Sequence, residues 1–326
     1  MTAAQRPMNA QEGALLLLLS LLWGGSFPFV GVAVRELPPL VIVAARVTIA
    51  AVLLWAFGPF LGLRPAELAR QAGPLLWLGL INNVAPFLLI AWAQTRLASG
   101  VASILNASTP IIAVIAAHGL TANEKLTPAR LGGAAVGLIG VVAMVGPDVL
   151  GRPGDALAEL AMLGASTSYA FASIYARRFR TTGLRPIETA TGQITAASLV
   201  LAPVAFIFAP KGVFEAASPG VIGAVLALAS VSTAFAHIVY FRILAGAGAV
   251  NVVLVTLLVP ATSVAFGALA LGERPPGRAF LGLGLIGAGL ALIDGRLLGA
   301  LQRRRWRSLL RDDSSPSQRS SSSNDC

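Results

Sequence analysis

Residues 98–140 read ASGVASILNASTPIIAVIAAHGLTANEKLTPARLGGAAVGLIG, and residues 248–289 read GAVNVVLVTLLVPATSVAFGALALGERPPGRAFLGLGLIGAG. Pro110 in the first stretch matches Pro260 in the second at an offset of 150 residues. Nearer the start of each half, an offset of 147 residues pairs Pro39 with Pro186 and Arg46 with Gln193. Similarity that recurs at a nearly constant spacing indicates an internal duplication, so we expect two structurally related halves.

The composition is that of a membrane protein. Hydrophobic residues make up 56% of the 326 residues and charged residues only 12%, and the mean hydropathy is +0.78. So few charges could not cover the surface of a water-soluble globule of this size, which excludes that class. The net charge of +10 comes from basic residues scattered between apolar runs and in the tail, which favours orientation in a membrane over nucleic-acid binding. The single Cys326 excludes an internal disulfide and a cysteine-based metal site.

Ten apolar runs divide the chain, most of them close to the length that a membrane-spanning helix needs. They are continuous rather than alternating, which favours helices over the strands of a β-barrel. The runs are Gly13 to Val34, Leu40 to Phe57, Pro74 to Ala93, Gly100 to Leu120, Leu131 to Pro147, Leu160 to Ala176, Thr189 to Phe208, Pro219 to Phe241, Ala249 to Leu271 and Ala279 to Ile293. We therefore predict an all-α polytopic membrane protein with ten transmembrane helices.

Basic residues orient these helices. With the N-terminus inside, 17 Lys and Arg residues fall on the cytoplasmic side and 6 on the outer side, so we place both termini in the cytoplasm. Five helices per half is an odd number, so the second half should enter the membrane inverted, with Glu124 inside and the matching Glu273 outside. The predicted segments are a cytoplasmic N-terminus (1–12), a first repeat (13–147), an outer loop (148–159), a second repeat (160–295) and a basic, Ser-rich cytoplasmic tail (296–326). We expect the arginines of the tail to bind anionic membrane lipids.

Inverted repeats are an architecture of secondary transporters, because exchanging the conformations of the two halves moves a midplane site from one membrane face to the other. Further motifs accompany the duplication: Trp23-Gly24-Gly25-Ser26 in the first helix, Arg46 after Pro39, and Pro110…Glu124 and Pro260…Glu273, each before a Gly-rich helix. Together, from Gly13 to Ile293, they resemble the two EamA-type repeats of the drug/metabolite transporter superfamily.

Within that superfamily the chain is most similar to bacterial ten-helix exporters of amino acids, aromatic ones included, and of other metabolites. The resemblance implies a multi-pass protein of the bacterial inner membrane. It also implies a central cavity lined by helices of both halves, with the fifth and tenth helices at the periphery.

Polar residues inside the apolar runs are candidates for that cavity. Ser103 and Asn106 share a helical face with Pro110, and Thr256 lies on the matching face with Pro260. Asn82 and Asn83 match Ser232 and Thr233 at an offset of 150, and paired polar positions favour a binding site, although helix packing uses the same residue types. The predicted substrate-binding residues are Trp23, Ser26, Asn82, Asn83, Ser103, Asn106, Tyr169, Thr233, His237 and Thr256.

Four further residues are predicted to act in gating or in structure: Arg46, Pro110, Gln193 and Pro260. Arg46 could hold a substrate carboxylate, but its match in the other half is the neutral Gln193, which favours a structural role. Each proline frees a backbone carbonyl and permits a hinge. His237 is either a neutral, hydrogen-bonded cavity residue or a proton carrier, and the lack of a carboxylate partner in the runs favours the first.

The ten runs contain no Asp, Glu or Lys, so a cation antiporter would lack the carboxylate that it needs. We therefore predict a non-enzymatic secondary transporter that exports small neutral or zwitterionic metabolites, amino acids first, by alternating access. No cofactor, metal or ATP-binding motif is predicted. An alternative of another class is an intramembrane serine hydrolase using Ser26 with His237 as base. A structural partner of another membrane component would explain the basic tail but not the duplication. The sequence leaves the oligomeric state open, a monomer included.

Overall fold

The computed structural model describes residues 9–120, 127–145, 156–247, 252, 254–262 and 277–294. Glu124, Glu273, the tail from residue 296 and most of the predicted outer loop lie outside these residues. Every regular element within the described residues is helical. The helices are α1 (Ala10–Gly24), α2 (Ser26–Ala33), α3 (Pro39–Phe57), α4 (Pro65–Arg70), α5 (Ala72–Gly79), α6 (Ala85–Ala93), α7 (Ser99–Asn106), α8 (Thr109–Leu120), α9 (Pro128–Val145), α10 (Ala156–Ala176), α11 (Pro186–Phe208), α12 (Pro219–Ala229), α13 (Ala236–Ala247) and α14 (Gly277–Asp294).

Helical stretches in the described residues are long and apolar enough to make this a polytopic membrane protein. The six that meet that length and composition are Ala10–Ala33, Pro39–Phe57, Ala72–Ala93, Ser99–Leu120, Pro186–Phe208 and Pro219–Ala247. The number of ten spans and the inversion of the second half stay predictions.

Proline and asparagine explain where several helices begin. Pro39, Pro186 and Pro219 occupy the first position of α3, α11 and α12, where a missing N–H removes no intrahelical hydrogen bond. At the start of α1, the side chain of Asn9 accepts from the N–H of Glu12, and the Glu12 carboxylate accepts from the N–H of Asn9, both at 2.8 Å. This reciprocal cap satisfies two backbone donors that the helix leaves free.

Two long helices are interrupted by a π-helical segment at the same place in each half. Leu80–Val84 separates α5 from α6, and Ser230–Phe235 separates α12 from α13, again at an offset of 150 residues. Pro86 explains the first segment, because it supplies no N–H to the carbonyl four residues earlier. In the second segment the Thr233 hydroxyl donates to the carbonyl of Leu228 at 2.7 Å, five residues back. The polar residues of each π segment therefore point in directions that differ from those of a regular α-helix.

The fourth predicted helix is divided into α7 and α8 by a break at residues 107–108. Pro110 cannot donate to the carbonyl of Asn106, and the hydroxyl of Thr109 donates to that carbonyl instead, at 2.6 Å. The break therefore leaves no unsatisfied carbonyl at this point, and it places Asn106 at the end of α7.

Helices α9 and α14 pack closely against each other through glycines. A Cβ atom on Gly133 would lie 2.7 Å from the carbonyl oxygen of Gly289, and one on Gly140 would lie 2.8 Å from that of Gly282. Glycine is needed at these positions because any larger residue would push the two backbones apart. Exposed apolar side chains such as Ile139 and Phe280 cover the outer side of the pair.

Candidate functional site

A central cavity lies between the two halves. Its lining residues come from α1, α2, α3, α6 and the turn after it, α7, α8, α10, α13, the first π segment and the helical residues 255–262. They are Trp23, Ser26, Phe27, Val30, Arg46, Asn82, Phe87, Ile90, Gln94, Asn106, Thr109, Tyr169, His237, Tyr240, Thr256 and Val259. None of these described lining residues is Asp, Glu or Lys. Most of the lining surface is apolar, although many of the lining side chains also carry a polar group.

Aromatic rings form one wall of the cavity. The ring centroids of Trp23 and Tyr240 lie 5.5 Å apart, and His237 lies 6.3 Å from both Trp23 and Phe87 in edge-on arrangements. Phe241 packs edge-on against Tyr240 at 4.9 Å. Such a cluster supplies a broad, rigid apolar surface on which a planar or aliphatic side chain can pack.

Arg46 brings a charge to this apolar site. It lies in the first half of α3 and is only 6% exposed. Its Nε donates to the hydroxyl of Thr233 at 2.7 Å, and its guanidinium carbon lies 3.6 Å from the centre of the Phe87 ring. No carboxylate among the described residues pairs with it. The hydrogen bond and the stacked ring fix the orientation of the guanidinium plane.

Gln193, the residue that matches Arg46, occupies a different environment. Its side-chain oxygen accepts hydrogen bonds from the amides of Asn82, at 3.0 Å, and Asn83, at 2.8 Å. Gln193 and Asn83 are both fully buried and neither lines the cavity. The second-half residue therefore joins the halves through a packed amide cluster, whereas Arg46 reaches the cavity.

Two buried amides in the cavity have an unused polar atom within the described structure. They are Asn106, whose side-chain oxygen has no hydrogen-bond partner, and Gln94, whose side-chain nitrogen has none. Both residues line the cavity and are about 95% buried. A buried amide atom without a partner is costly, so these two atoms are natural contacts for a polar ligand group.

The structure brings together eight of the fourteen residues singled out from the sequence. Those lining the cavity are Trp23, Ser26, Arg46, Asn82, Asn106, Tyr169, His237 and Thr256. Those outside the lining are Asn83, Ser103, Pro110, Gln193, Thr233 and Pro260. Ser103 donates to the carbonyl of Gly100 in its own helix at 2.8 Å, and Thr233 acts behind the cavity by holding Arg46.

Phe87, Gln94 and Tyr240 are among the lining residues that were not predicted from the sequence. Tyr240 is three residues after His237 on the same helical face, a spacing that was available in the sequence. Phe87 and Gln94 have no comparable signal, because their positions depend on how α6 is rotated and packed.

Ser26 and His237 do not form a nucleophile–base pair. The Ser26 hydroxyl donates to the carbonyl of Trp23 at 2.7 Å, and Nδ1 of His237 donates to the carbonyl of Thr233 at 2.8 Å. A serine hydrolase requires the serine hydroxyl to donate to the base. In this structure both groups bond to their own helix backbones, so the hydrolase alternative has no structural support.

Polar contacts join the two halves at opposite ends of α3. Just before α3, the Glu36 carboxylate accepts from the backbone N–H of Ser218 at 2.7 Å and from its hydroxyl at 2.8 Å, and these bonds hold the pKa of Glu36 below its ordinary value. Beyond the other end, Arg64 donates to both carboxylate oxygens of Glu188, at 2.6 and 2.8 Å. Arg185 also pairs with Glu188, at 2.9 Å.

Comparisons with known proteins agree with a transporter fold. The profile of the EamA-like transporter family matches residues 12–146 and 156–294. The chain is 25% identical over 297 residues to a protein of Escherichia coli (strain K12) named "Probable amino-acid metabolite efflux pump", a match that covers 87% of this chain and 94% of that protein. It is 28% identical over 289 residues to the "Probable terminal-alkyne amino-acid exporter" of Streptantibioticus cattleyicolor, covering 87% and 93%. A solved crystal structure with 22% sequence identity has the same fold, with a TM-score of 0.71 over 89% of this chain and 99% of that one.

Proposed function

The chain belongs to the EamA-like transporter family, and from this we propose that it is a secondary transporter that exports small neutral or zwitterionic metabolites by alternating access. Amino acids, including aromatic ones, are the proposed main substrates. The observation that carries the proposal is the cavity between the halves, which combines an aromatic wall with polar side chains but has no Asp, Glu or Lys among its described lining residues.

The chemistry of the lining supports a zwitterion with an apolar side chain. Trp23, Tyr240 and Phe87 offer apolar surface, while Asn82, Asn106 and Thr256 offer hydrogen-bonding groups for a polar head. A cationic drug would find no carboxylate there to compensate for its lost hydration. Two similar proteins bear names that refer to amino-acid export, which supports the same class of substrate.

Alternating access would require the contacts at the two ends of the cavity to open in turn. We propose that the bonds from Ser218 to Glu36 close one end and that the pair Arg64–Glu188 closes the other, because they lie at opposite ends of α3 and each joins the first half to the second. The inverted arrangement of the halves would make these closures alternate. Pro110 and Pro260 lie on cavity-lining helices and are the proposed hinges.

We place the protein in the bacterial inner membrane with both termini in the cytoplasm, so that export moves solute out of the cell. We propose that a single chain can act as the transport unit, which is supported by a cavity whose described lining comes from both halves of one chain. With no carboxylate in the described lining and His237 bonded to a backbone carbonyl, the coupling we propose is facilitated movement down the solute gradient.

Reconstitution in proteoliposomes tests the proposal. Labelled phenylalanine or leucine should exchange across the membrane without an imposed pH gradient, and the exchange should persist in His237→Ala. Empty liposomes and a labelled quaternary ammonium compound are the controls. Transport of the quaternary cation but not of amino acids would refute the substrate class. Strict dependence on a proton gradient, lost in His237→Ala, would refute the coupling.

A further inference from the structure

The cavity contains a positive charge that the described protein does not neutralise. Arg46 is only 6% exposed, and within the described residues the one polar group that it bonds is the neutral hydroxyl of Thr233. Burying a charge in a membrane is costly unless an opposite charge or several hydrogen bonds compensate for it. The Phe87 ring offsets part of that cost but does not cancel the charge.

The two terminal nitrogens of the Arg46 guanidinium are available. Thr233 uses only Nε, and no hydrogen bond within the described structure involves the other two nitrogens. Unlike the unpartnered side-chain nitrogen of Gln94, these two nitrogens are not fully buried. They therefore remain accessible from the cavity that Arg46 lines. Two neighbouring N–H groups in one plane match the two oxygens of a carboxylate.

A purely structural role does not require this charge. In the second half the matching Gln193 links the halves with a neutral side chain and stays out of the cavity. The two halves therefore differ at this position in both charge and exposure to the cavity. A binding site for an anionic group would explain why only the first half places a charge in the cavity at this position.

We infer that Arg46 binds the carboxylate of the substrate, and that this carboxylate, rather than the amino group, is the part of the substrate that the cavity requires. The inference rests on the proposed function, since it takes this cavity as the transport site. Among the described lining residues, an ammonium group would meet neutral acceptors such as the unpartnered oxygen of Asn106. The substrate class is therefore apolar and aromatic monocarboxylates, with or without an amino group.

Three phenyl compounds separate the two ends of the substrate. Phenylalanine carries both groups, 3-phenylpropanoate lacks the amino group, and phenethylamine lacks the carboxylate. Binding to the purified full-length protein is measured by calorimetry at neutral pH, which avoids leakage of the uncharged acid through liposomes. Phenylalanine and 3-phenylpropanoate should bind with affinities within about tenfold of each other, and phenethylamine should bind at least about tenfold more weakly than either, because it lacks the charged hydrogen bonds to Arg46.

Substitution of Arg46 provides the second arm of the test. Arg46→Gln introduces the residue that the other half carries and should weaken 3-phenylpropanoate binding by about tenfold or more, while Arg46→Lys should retain part of the affinity. Arg96→Gln makes the same change on an exposed arginine beside Trp92 and should leave binding unchanged. Thermal unfolding of each purified variant confirms that it is folded. If Arg46→Gln does not fold, the ranking of the three affinities for the unsubstituted protein and for Arg46→Lys still tests whether Arg46 binds the carboxylate.

The outcomes separate this inference from the proposed function. Binding and transport of phenylalanine and phenethylamine, without 3-phenylpropanoate, would overturn the role of Arg46 and leave amino-acid export standing. A folded Arg46→Gln protein with unchanged affinity for 3-phenylpropanoate would overturn it as well. Failure of all three compounds to bind, together with no amino-acid transport in proteoliposomes, would overturn both proposals.

Discussion

The side chain of Arg46 in the first half donates a 2.7 Å hydrogen bond to Thr233 in the second half, and the residues that match them are also hydrogen-bonded, with donor and acceptor exchanged. Gln193 matches Arg46 and Asn83 matches Thr233, and the Asn83 amide donates to Gln193 at 2.8 Å. Two related contacts thus cross between the halves, one from each helix that begins at a matched proline. Any movement of one half relative to the other has to accommodate both.

Removing the Thr233 hydroxyl, which accepts the hydrogen bond from Arg46, should destabilise the fold. Thr233→Val keeps the side-chain shape but leaves Nε of a buried guanidinium without its partner, which we expect to cost about 1–3 kcal/mol. Thr167→Val is the matched control, because that hydroxyl bonds only the carbonyl of Leu163 in its own helix. The measurement is the thermal unfolding midpoint in detergent, and equal midpoints for the two variants would contradict the expectation.

The charged contact beyond the C-terminal end of α3 should matter more than an exposed ion pair. The Glu188 side chain is fully buried between two arginines, whereas Glu67 pairs with Arg70 on the surface. Glu188→Gln should therefore lower stability by about 1–3 kcal/mol, and Glu67→Gln by less than about 0.5 kcal/mol. Comparison of the two unfolding midpoints checks this. A larger effect at Glu67 would show that the contact with Glu188 does not hold the halves together.

The contact at the other end of α3 should depend on pH. Hydrogen bonds from Ser218 lower the pKa of Glu36, so the ionised form is favoured in the folded protein. The stabilisation is therefore present above the ordinary carboxyl pKa of about 4 and is lost as the pH falls through the lower folded value. Unfolding midpoints of the unsubstituted protein and of Glu36→Gln should differ near neutral pH and converge in acid. A difference that persists unchanged at the lowest pH would argue against this contact.

The prolines of the cavity helices should affect transport rate more than protein abundance. Pro110→Ala and Pro260→Ala allow straighter helices, which we expect to favour one access state. Pro128→Ala is the control, because Pro128 occupies the first position of α9, which does not line the cavity and where no intrahelical bond is at stake. Transport of labelled phenylalanine is measured at matched protein levels. Normal rates in both cavity variants would assign these prolines to packing alone.

The predicted inversion of the halves can be tested at the matched glutamates. Cysteines introduced singly at Asn123 and Gly272, in a chain lacking Cys326, should label from opposite sides of the membrane, since each predicted repeat contains an odd number of helices. An impermeant thiol reagent on intact cells should reach residue 272 and not residue 123. Labelling of both positions from outside would contradict the inverted arrangement.

Composition and internal repetition were sufficient to predict the class of this protein. Continuous apolar runs with almost no charge can satisfy their backbone only as helices in a membrane, so the all-helical, multi-pass fold follows from the sequence. The offset of 150 residues also located the paired polar sites, because duplicated segments place their π segments and polar residues at corresponding positions.

The tertiary structure alone decided which of those residues face the cavity. Asn82 lines it and its neighbour Asn83 does not, although the sequence treats them alike. Neighbouring helical positions differ by about 100° around the axis, and the rotation of a helix is set by packing against segments distant in the chain. The same reason explains Arg46: its match with Gln193 indicated a structural role, but only the packed helices reveal that the arginine reaches the cavity while the glutamine is sealed between two asparagines.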